Sequence, residues 1–267
     1  MTETAELVCR IRQAASAFMV AWVEGMRDLP GNPAQVTVER FGGPVALACE
    51  LLPGLDFVNT VHGIAPREAD RVEDMTAFYR RLGLRGWTEV APAAGVEPLL
   101  ERLTAAGWAQ VGFWSSFHGP AIARPLPGGV EVVEAGAEDM AEFARIHLDG
   151  HEVPAENREP GEAAVRAWFG RPGWRLYLAR VGGVPAASAA LTIGDGLGYL
   201  ANAATLPAMR GRGCQSALLA RRIADAAGAG CDTVASLAEF GSGSQRNLER
   251  AGLRVAFTQA VWRMRPG

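Results

Sequence analysis

Cysteine is scarce in this chain. Its four residues, Cys9, Cys49, Cys214 and Cys231, are scattered, and none belongs to a C-x-x-C pair. A disulfide framework and a zinc site are therefore not expected, and a reduced, cytoplasmic protein is. Positive charge is not in excess either. The net charge is −3, so nothing draws the chain to nucleic acid. Long hydrophobic runs are missing too. The uncharged stretch Gln13–Val23 is bounded by Arg10, Arg12 and Glu24, and it falls short of the roughly 20 residues that span a bilayer. It predicts an amphipathic helix over Thr4–Met26 and no membrane partner. What the chain does have is apolar material, 49% hydrophobic against 21% charged residues. That suffices for one large globular domain or two of about 130 residues each.

The sequence repeats itself. Arg40–Leu51 (RFGGPVALACEL) aligns with Arg180–Leu191 (RVGGVPAASAAL), and each reads as strand, Gly-Gly turn, strand. Further along the spacing shifts and then holds. Leu55 falls on Leu200, Gly83 on Gly228, Thr88 on Thr233, Leu103 on Leu248 and Gly107 on Gly252. Two copies of one unit follow, divided at the breaker-rich link Arg124–Gly129 (RPLPGG). In the second copy, strands are expected near 130–136, 174–182, 185–194, 197–206, 232–238 and 254–264. Helices are expected near 139–150, 161–170, 214–228 and 243–251. Leu219, Ile223 and Ala226 make an apolar stripe on the third of these helices. Gly228 and Gly252 stand where helix C-caps are expected. The fold class is α/β (α+β), with two tandem domains over 1–124 and 130–267. Each is a mixed, mostly antiparallel twisted sheet flanked by helices.

The segment TLPAMRGRGCQSALL, Thr205–Leu219, lies where a strand ends and a helix begins. Gly211 and Gly213 permit a tight turn and a close backbone approach to a ligand. The first N–H groups of the helix have no internal partner and point at the same spot. Arg210 and Arg212 add positive charge, and Ser216 adds a hydroxyl. A pyrophosphate suits such a place. The spacing is neither that of the Walker loop nor that of a dinucleotide fingerprint.

The order strand, Arg-x-x-Gly-x-x, helix resembles the CoA-binding signature of the GCN5-related N-acetyltransferases, usually written Arg/Gln-x-x-Gly-x-Gly/Ala. Arg210 and Gly213 match it, while Gln215 stands where Gly or Ala is usual. Ser244–Leu253 (SQRNLERAGL) resembles the family's Asn-containing helix ending in Gly-Phe, with Leu253 for Phe. The resemblance covers about 130–264 and implies two acyl-CoA N-acyltransferase-like domains. It also implies acetyl-CoA as co-substrate in a gap where the fourth strand splays from the fifth. Backbone groups of Ala204, Thr205 and Leu206 would pair with pantetheine. Arg210, Gly211, Arg212, Gly213, Cys214, Gln215 and Ser216 would cradle the pyrophosphate, and Asn247 would contact the pantetheine arm. The activity implied is transfer of an acetyl group to a primary amine of a small molecule. A CoA-binding regulatory or accessory protein is the alternative.

Two family features are replaced. The fourth-strand carboxylate position holds Asn202, and the tyrosine position before the helix-ending glycine holds Leu248. Glu239, at the end of the fifth strand, is the remaining candidate base. Asn202, His151 and Glu152 are candidates for the acceptor side. His147 and His151 have the i, i+4 spacing of metal ligands, but no further ligand is evident and no metal is expected. In the first copy, Ala65–Asp70 replaces Arg210–Gln215, with Glu68 at the Gly213 position. Carboxylates there repel phosphate and Pro66 removes a donor, so the first copy is expected to be degenerate.

Overall fold

The computed structural model describes residues 3–266. The first part of the chain forms α1 (Glu3–Arg27), β1 (Val36–Arg40), β2 (Val45–Cys49), β3 (Thr60–His62), α2 (Val72–Arg81), β4 (Trp87–Val90), α3 (Glu97–Ala105) and β5 (Trp108–Pro120). The second forms β6 (Glu131–Glu134), α4 (Met140–Gly150), α5 (Arg158–Arg166), β7 (Trp174–Val181), β8 (Val184–Gly194), β9 (Leu197–Thr205), α6 (Cys214–Gly228), β10 (Thr233–Glu239), α7 (Gly243–Arg250) and β11 (Arg254–Met264). From β1 to β5 and from β7 to β11 the order is the same: three strands, helix, strand, helix, strand. The architecture is thus mixed α/β and mostly antiparallel, as expected. No helix among the described residues is long and apolar enough to cross a membrane.

Two compact units form, and they do not follow the link at Arg124–Gly129. One contains Ser116–Ala256 with the chain up to Ala15; the other contains Ser16–Ser115 with the chain from Phe257 on. The closing strands of the two copies trade places. The end of β5 belongs with the second copy, in the strand order β5-β10-β9-β8-β7-β6, while most of β11 joins the first, in the order β1-β2-β3-β4-β11. There it pairs antiparallel with β4, Ala260 opposite Val90. The physical reason is simple. A run of breakers marks where one repeat ends but says nothing about which sheet edge the preceding strand will fill.

In the unit built on Ser116–Ala256, β8 is made largely of Ala and Ser, poor strand formers on their own. Both of its faces are buried, Ala186 to Leu191 all at 0% exposure, because helices cover both sides. Ala187, Ala189 and Leu191 join Leu218, Leu219, Ile223 and Ala226 of α6 in one core, whereas Ser188 meets His147 of α4. Small side chains let both helices approach the same strand. The expected cap at Gly228 is displaced: Gly230 takes the positive φ, 82°, and Cys231 N–H reaches back to Ala226 C=O at 3.0 Å. The helix runs one half-turn further than the aligned glycines suggest.

Candidate active site

β9 and β10 are parallel but pair only over Leu197–Tyr199 with Thr233–Ala235. Both strands continue past that point, β9 to Thr205 and β10 to Glu239, so a slot opens between them. At the fork Ser236 Oγ donates to Leu200 C=O at 2.8 Å. Just beyond it, β9 carries a bulge. Ala190 faces Ala201 and Ser188 faces Ala204, which leaves Asn202 and Ala203 opposite the single residue Ala189. Asn202 is left-handed, with φ 40°, a conformation that asparagine tolerates better than most residues. A bulge bends its strand and increases the local twist, which carries β9 away from β10. Past the bulge, Leu206 N–H donates to Ala186 C=O at 2.9 Å. Since alternate pairs of an antiparallel ladder exchange bonds, the N–H and C=O of Thr205 turn toward the slot.

The loop after β9 makes a 3-10 turn at Pro207–Met209. Gly211 and Gly213 then adopt φ 77° and 83°, and Gly213 is the left-handed N-cap of α6. The first helical bond runs from Ala217 N–H to Gly213 C=O at 3.0 Å. The N–H groups of Cys214, Gln215 and Ser216 therefore have no helical partner. Gln215 folds its side chain back, Nε2 donating to Thr205 Oγ1 at 2.9 Å, and so fits where the family pattern has a smaller residue. Arg210, Arg212 and Ser216 are exposed and Cys214 is buried; burial pushes its thiol pKa up. Arg212 forms no ion pair among the described residues. Arg210 donates to Gly150 C=O at 3.2 Å and lies 3.7 Å from the Glu152 carboxylate. Two guanidinium groups, three free N–H groups and a hydroxyl on an open surface fit a pyrophosphate.

The end of α4 lies against the slot. A Cβ on Gly150 would stand 2.8 Å from Ala204 Cβ and 3.0 Å from Thr205 N, so only glycine allows this approach. His151 and Glu152 follow, Glu152 with φ 55°. The His151 ring sits 4.6 Å from that of His147. Burial, then the Arg210 charge, lowers the His151 pKa, although the residue keeps an open edge to solvent. His147 is buried, stacked on Phe143 at 6.2 Å, with Ser188 Oγ 3.4 Å from Nδ1. Burial, then the neighbouring His151, holds its pKa well below the usual histidine value.

Glu239 ends β10 with an exposed side chain. Val234 and Ala238 enter the core beneath α6, so strand alternation puts Glu239 on the other sheet face, the face α4 covers. No hydrogen bond or ion pair joins its carboxylate to another site residue among the described residues. Asn247, half-buried on α7, accepts a hydrogen bond from the Arg250 guanidinium, and Leu248 is buried in the core. Leu206 is already engaged on both sides, its C=O accepting from Met209 N–H at 2.9 Å. Of the residues singled out from the sequence, Ala204, Thr205, Arg210–Ser216, His151 and Glu152 converge on one region. The bulge at Asn202, Ser236 at the fork and the close approach of Gly150 carried no motif that would have marked them.

The corresponding place in the other unit is built differently. Thr60 and Val61 of β3 pair with Trp87 and Thr88 of β4, so the strands stay together up to the turn. A 3-10 turn, Pro66–Arg71, replaces the glycine loop. Glu68 is buried there, 2.7 Å from Arg67 Nε, with Oε1 2.7 Å from where a Cβ on Gly43 would be.

Comparison with known proteins agrees with this geometry. The family model described as an acetyltransferase (GNAT) domain matches residues 126–246. No curated protein matches the chain. Among solved structures, the chain is similar to a GCN5-related N-acetyltransferase from Kribbella flavida, at 20% identity and TM-score 0.65, over 95% of this chain and 96% of that one. A GCN5-related N-acetyltransferase from Sphaerobacter thermophilus is 17% identical, with TM-score 0.61, over 91% and 86%. A tandem GNAT protein from the clavulanic acid biosynthesis pathway is 15% identical, with TM-score 0.59, over 93% and 95%. At such identities the structures speak for the fold, and the matched domain speaks for the chemistry. Residues 126–246 are thus an acetyltransferase (GNAT) domain, and through that domain the chain is an acyltransferase.

Proposed function

We propose that the second copy, residues 130–267, is the catalytic domain. It takes acetyl-CoA in the slot between β9 and β10 and passes the acetyl group directly to a primary amine of a small molecule. The observation that carries this is the parting of β9 from β10 after Tyr199 and Ala235, next to the free N–H groups of α6. A thioester with a long amide-bearing arm and a pyrophosphate needs such a combination: an unpaired strand edge for the amides and a positive helix start for the phosphates.

In this reading Thr205 offers backbone to the arm, with Ala204 and Leu206, whose backbone groups face β8, at the margin. Arg210, Gly211, Arg212, Gly213, Cys214, Gln215 and Ser216 hold the pyrophosphate, and Asn247 reaches the arm from α7. The acceptor nitrogen must be neutral to attack the thioester carbonyl. Glu239, on the same sheet face as the end of α4, receives its proton. His151, Glu152 and Asn202 border the acceptor. Glu156 and Glu159 are close in sequence to Glu152, and these carboxylates favour a cationic amine. The first copy is degenerate. Its paired β3 and β4 and its buried Glu68 leave neither slot nor anion site.

A panel of small primary amines tests the proposal, with free thiol from acetyl-CoA as the readout. All 26 basic side chains are arginine, so no lysine of the chain itself adds an acceptor background. Amine-dependent thiol release, with an acetyl mass gained by one amine, is expected. Tight binding of acetyl-CoA with no release across the panel would refute the small-amine reading.

A further inference from the structure

Arg222 stands apart from every residue discussed so far. It is 1% exposed, on the buried face of α6, and forms no ion pair among the described residues. Burial lowers its pKa to about 10, so it remains charged at neutral pH. Three carbonyls solvate it. Nε donates to Leu218 C=O of its own helix at 3.1 Å. Nη1 donates to Ala190 C=O at 3.0 Å and to Ala201 C=O at 3.1 Å. A core that needed only filling would take leucine or methionine here, because a buried charge without a counter-ion is costly.

The two strand carbonyls explain the arginine. Ala190 and Ala201 face each other on β8 and β9, at the last register pair before the bulge that contains Asn202. A bulge interrupts the ladder and leaves backbone groups in need of partners. One nitrogen, Nη1, ties the two strands together, while Nε anchors the rigid guanidinium to its own helix. The other copy supplies an internal comparison. The matching helix, α2, buries Val72, Met75, Thr76, Phe78 and Tyr79 and no arginine. There β3 and β4 remain paired. The arginine and the opened slot occur together in one copy and are absent together from the other.

We propose that Arg222 is a positioning residue for acyl transfer: its guanidinium fastens the β9 bulge and so keeps β9 parted from β10, holding open the slot that acetyl-CoA enters. The proposal rests on the reading of that slot as the acetyl-CoA site, and two measurements separate the two ideas. The first is amide hydrogen exchange, which needs no ligand. In Arg222→Met, exchange at Ala201–Thr205 is expected to change at least tenfold from wild type, while the amides of β7 keep their wild-type rates. The second is acetyl-CoA titration well below the melting temperature, where the variant's Kd is expected to rise at least tenfold. Arg222→Gln keeps a donor without the charge or the fork and is expected to lie between the two; it carries the same comparison should the methionine variant fail to fold. If wild type does not bind acetyl-CoA, the functional reading fails, and exchange alone decides the role of Arg222. Unchanged exchange at Ala201–Thr205 and a Kd within twofold of wild type, whatever happens to thermal stability, would overturn the proposal.

Discussion

Ser216→Asp separates damage to the fold from damage to the site. Ser216 is the third residue of α6 and is exposed. A carboxylate in the first turn of a helix complements the macrodipole and stabilises by about 0.3–1 kcal/mol. In a chain of this size that is worth roughly 1–3 °C of Tm, so the ligand-free variant should melt at or slightly above the wild-type temperature. A bound pyrophosphate meets the same carboxylate as a like charge. At a separation of about 5 Å the repulsion is roughly 0.8 kcal/mol per charge in water and about 3 kcal/mol at an effective dielectric of 20. Loss of the hydroxyl donor adds about 1 kcal/mol. Together these weaken acetyl-CoA binding at least thirtyfold, less so in high salt, which screens exposed charges. Calorimetric titration at low and high salt, beside a thermal melt, reads both effects. Wild-type affinity in the variant would show that the loop does not hold the phosphates. Lost affinity together with a lower Tm would show that the substitution acted through the fold.

The remaining expectations concern other parts of the site. His147 takes up a proton near pH 6.5 when unfolded and only at lower pH when folded, so its contribution to stability is present above about pH 6.5 and is lost as pH falls, by at most about 1.4 kcal/mol per pH unit. Urea unfolding at pH 7, 6 and 5 should show this loss, and His147→Phe should reduce the slope by about one proton. Glu239→Gln should lower kcat/KM for the amine about 10²–10⁴-fold and leave the Kd for acetyl-CoA unchanged; a loss under threefold with the same acidic limb in the pH profile would remove Glu239 from its role. Gly150→Ala puts a methyl 2.8 Å from Ala204 Cβ. It should cost about 1–3 kcal/mol of stability by overpacking and raise KM for acetyl-CoA, as urea unfolding and initial rates would report.

Much of the site's unit was legible because its signals are local. Alternating and small-residue runs predicted β7 to β9 and β11 to within a residue or two, and the glycines and arginines of Arg210–Gly213 marked the start of α6. The repeat also held at the level of element order, although β3 keeps only the end of the strand to which β9 corresponds. What stayed hidden depends on partners distant in sequence. The exchange of β5 and β11 is decided by which sheet edge each strand completes, and no residue within either strand encodes it. Asn202 reads as an ordinary polar strand residue until the register with β8 shows two residues facing one. Arg222 reads as a solvated helix charge beside Arg221, because its carbonyl partners lie on β8 and β9. Gln215 departs from the family pattern in sequence, and only its hydrogen bond to Thr205 shows how the departure fits.

The central claim is one working acetyl-CoA site, in the slot between β9 and β10, with none in the first copy. Titration calorimetry with acetyl-CoA on the wild-type chain and on Ser216→Asp tests it most directly. One equivalent bound per chain, with that binding at least thirtyfold weaker in the variant, is the predicted result. Two equivalent sites, or a single site indifferent to Ser216→Asp, would contradict it.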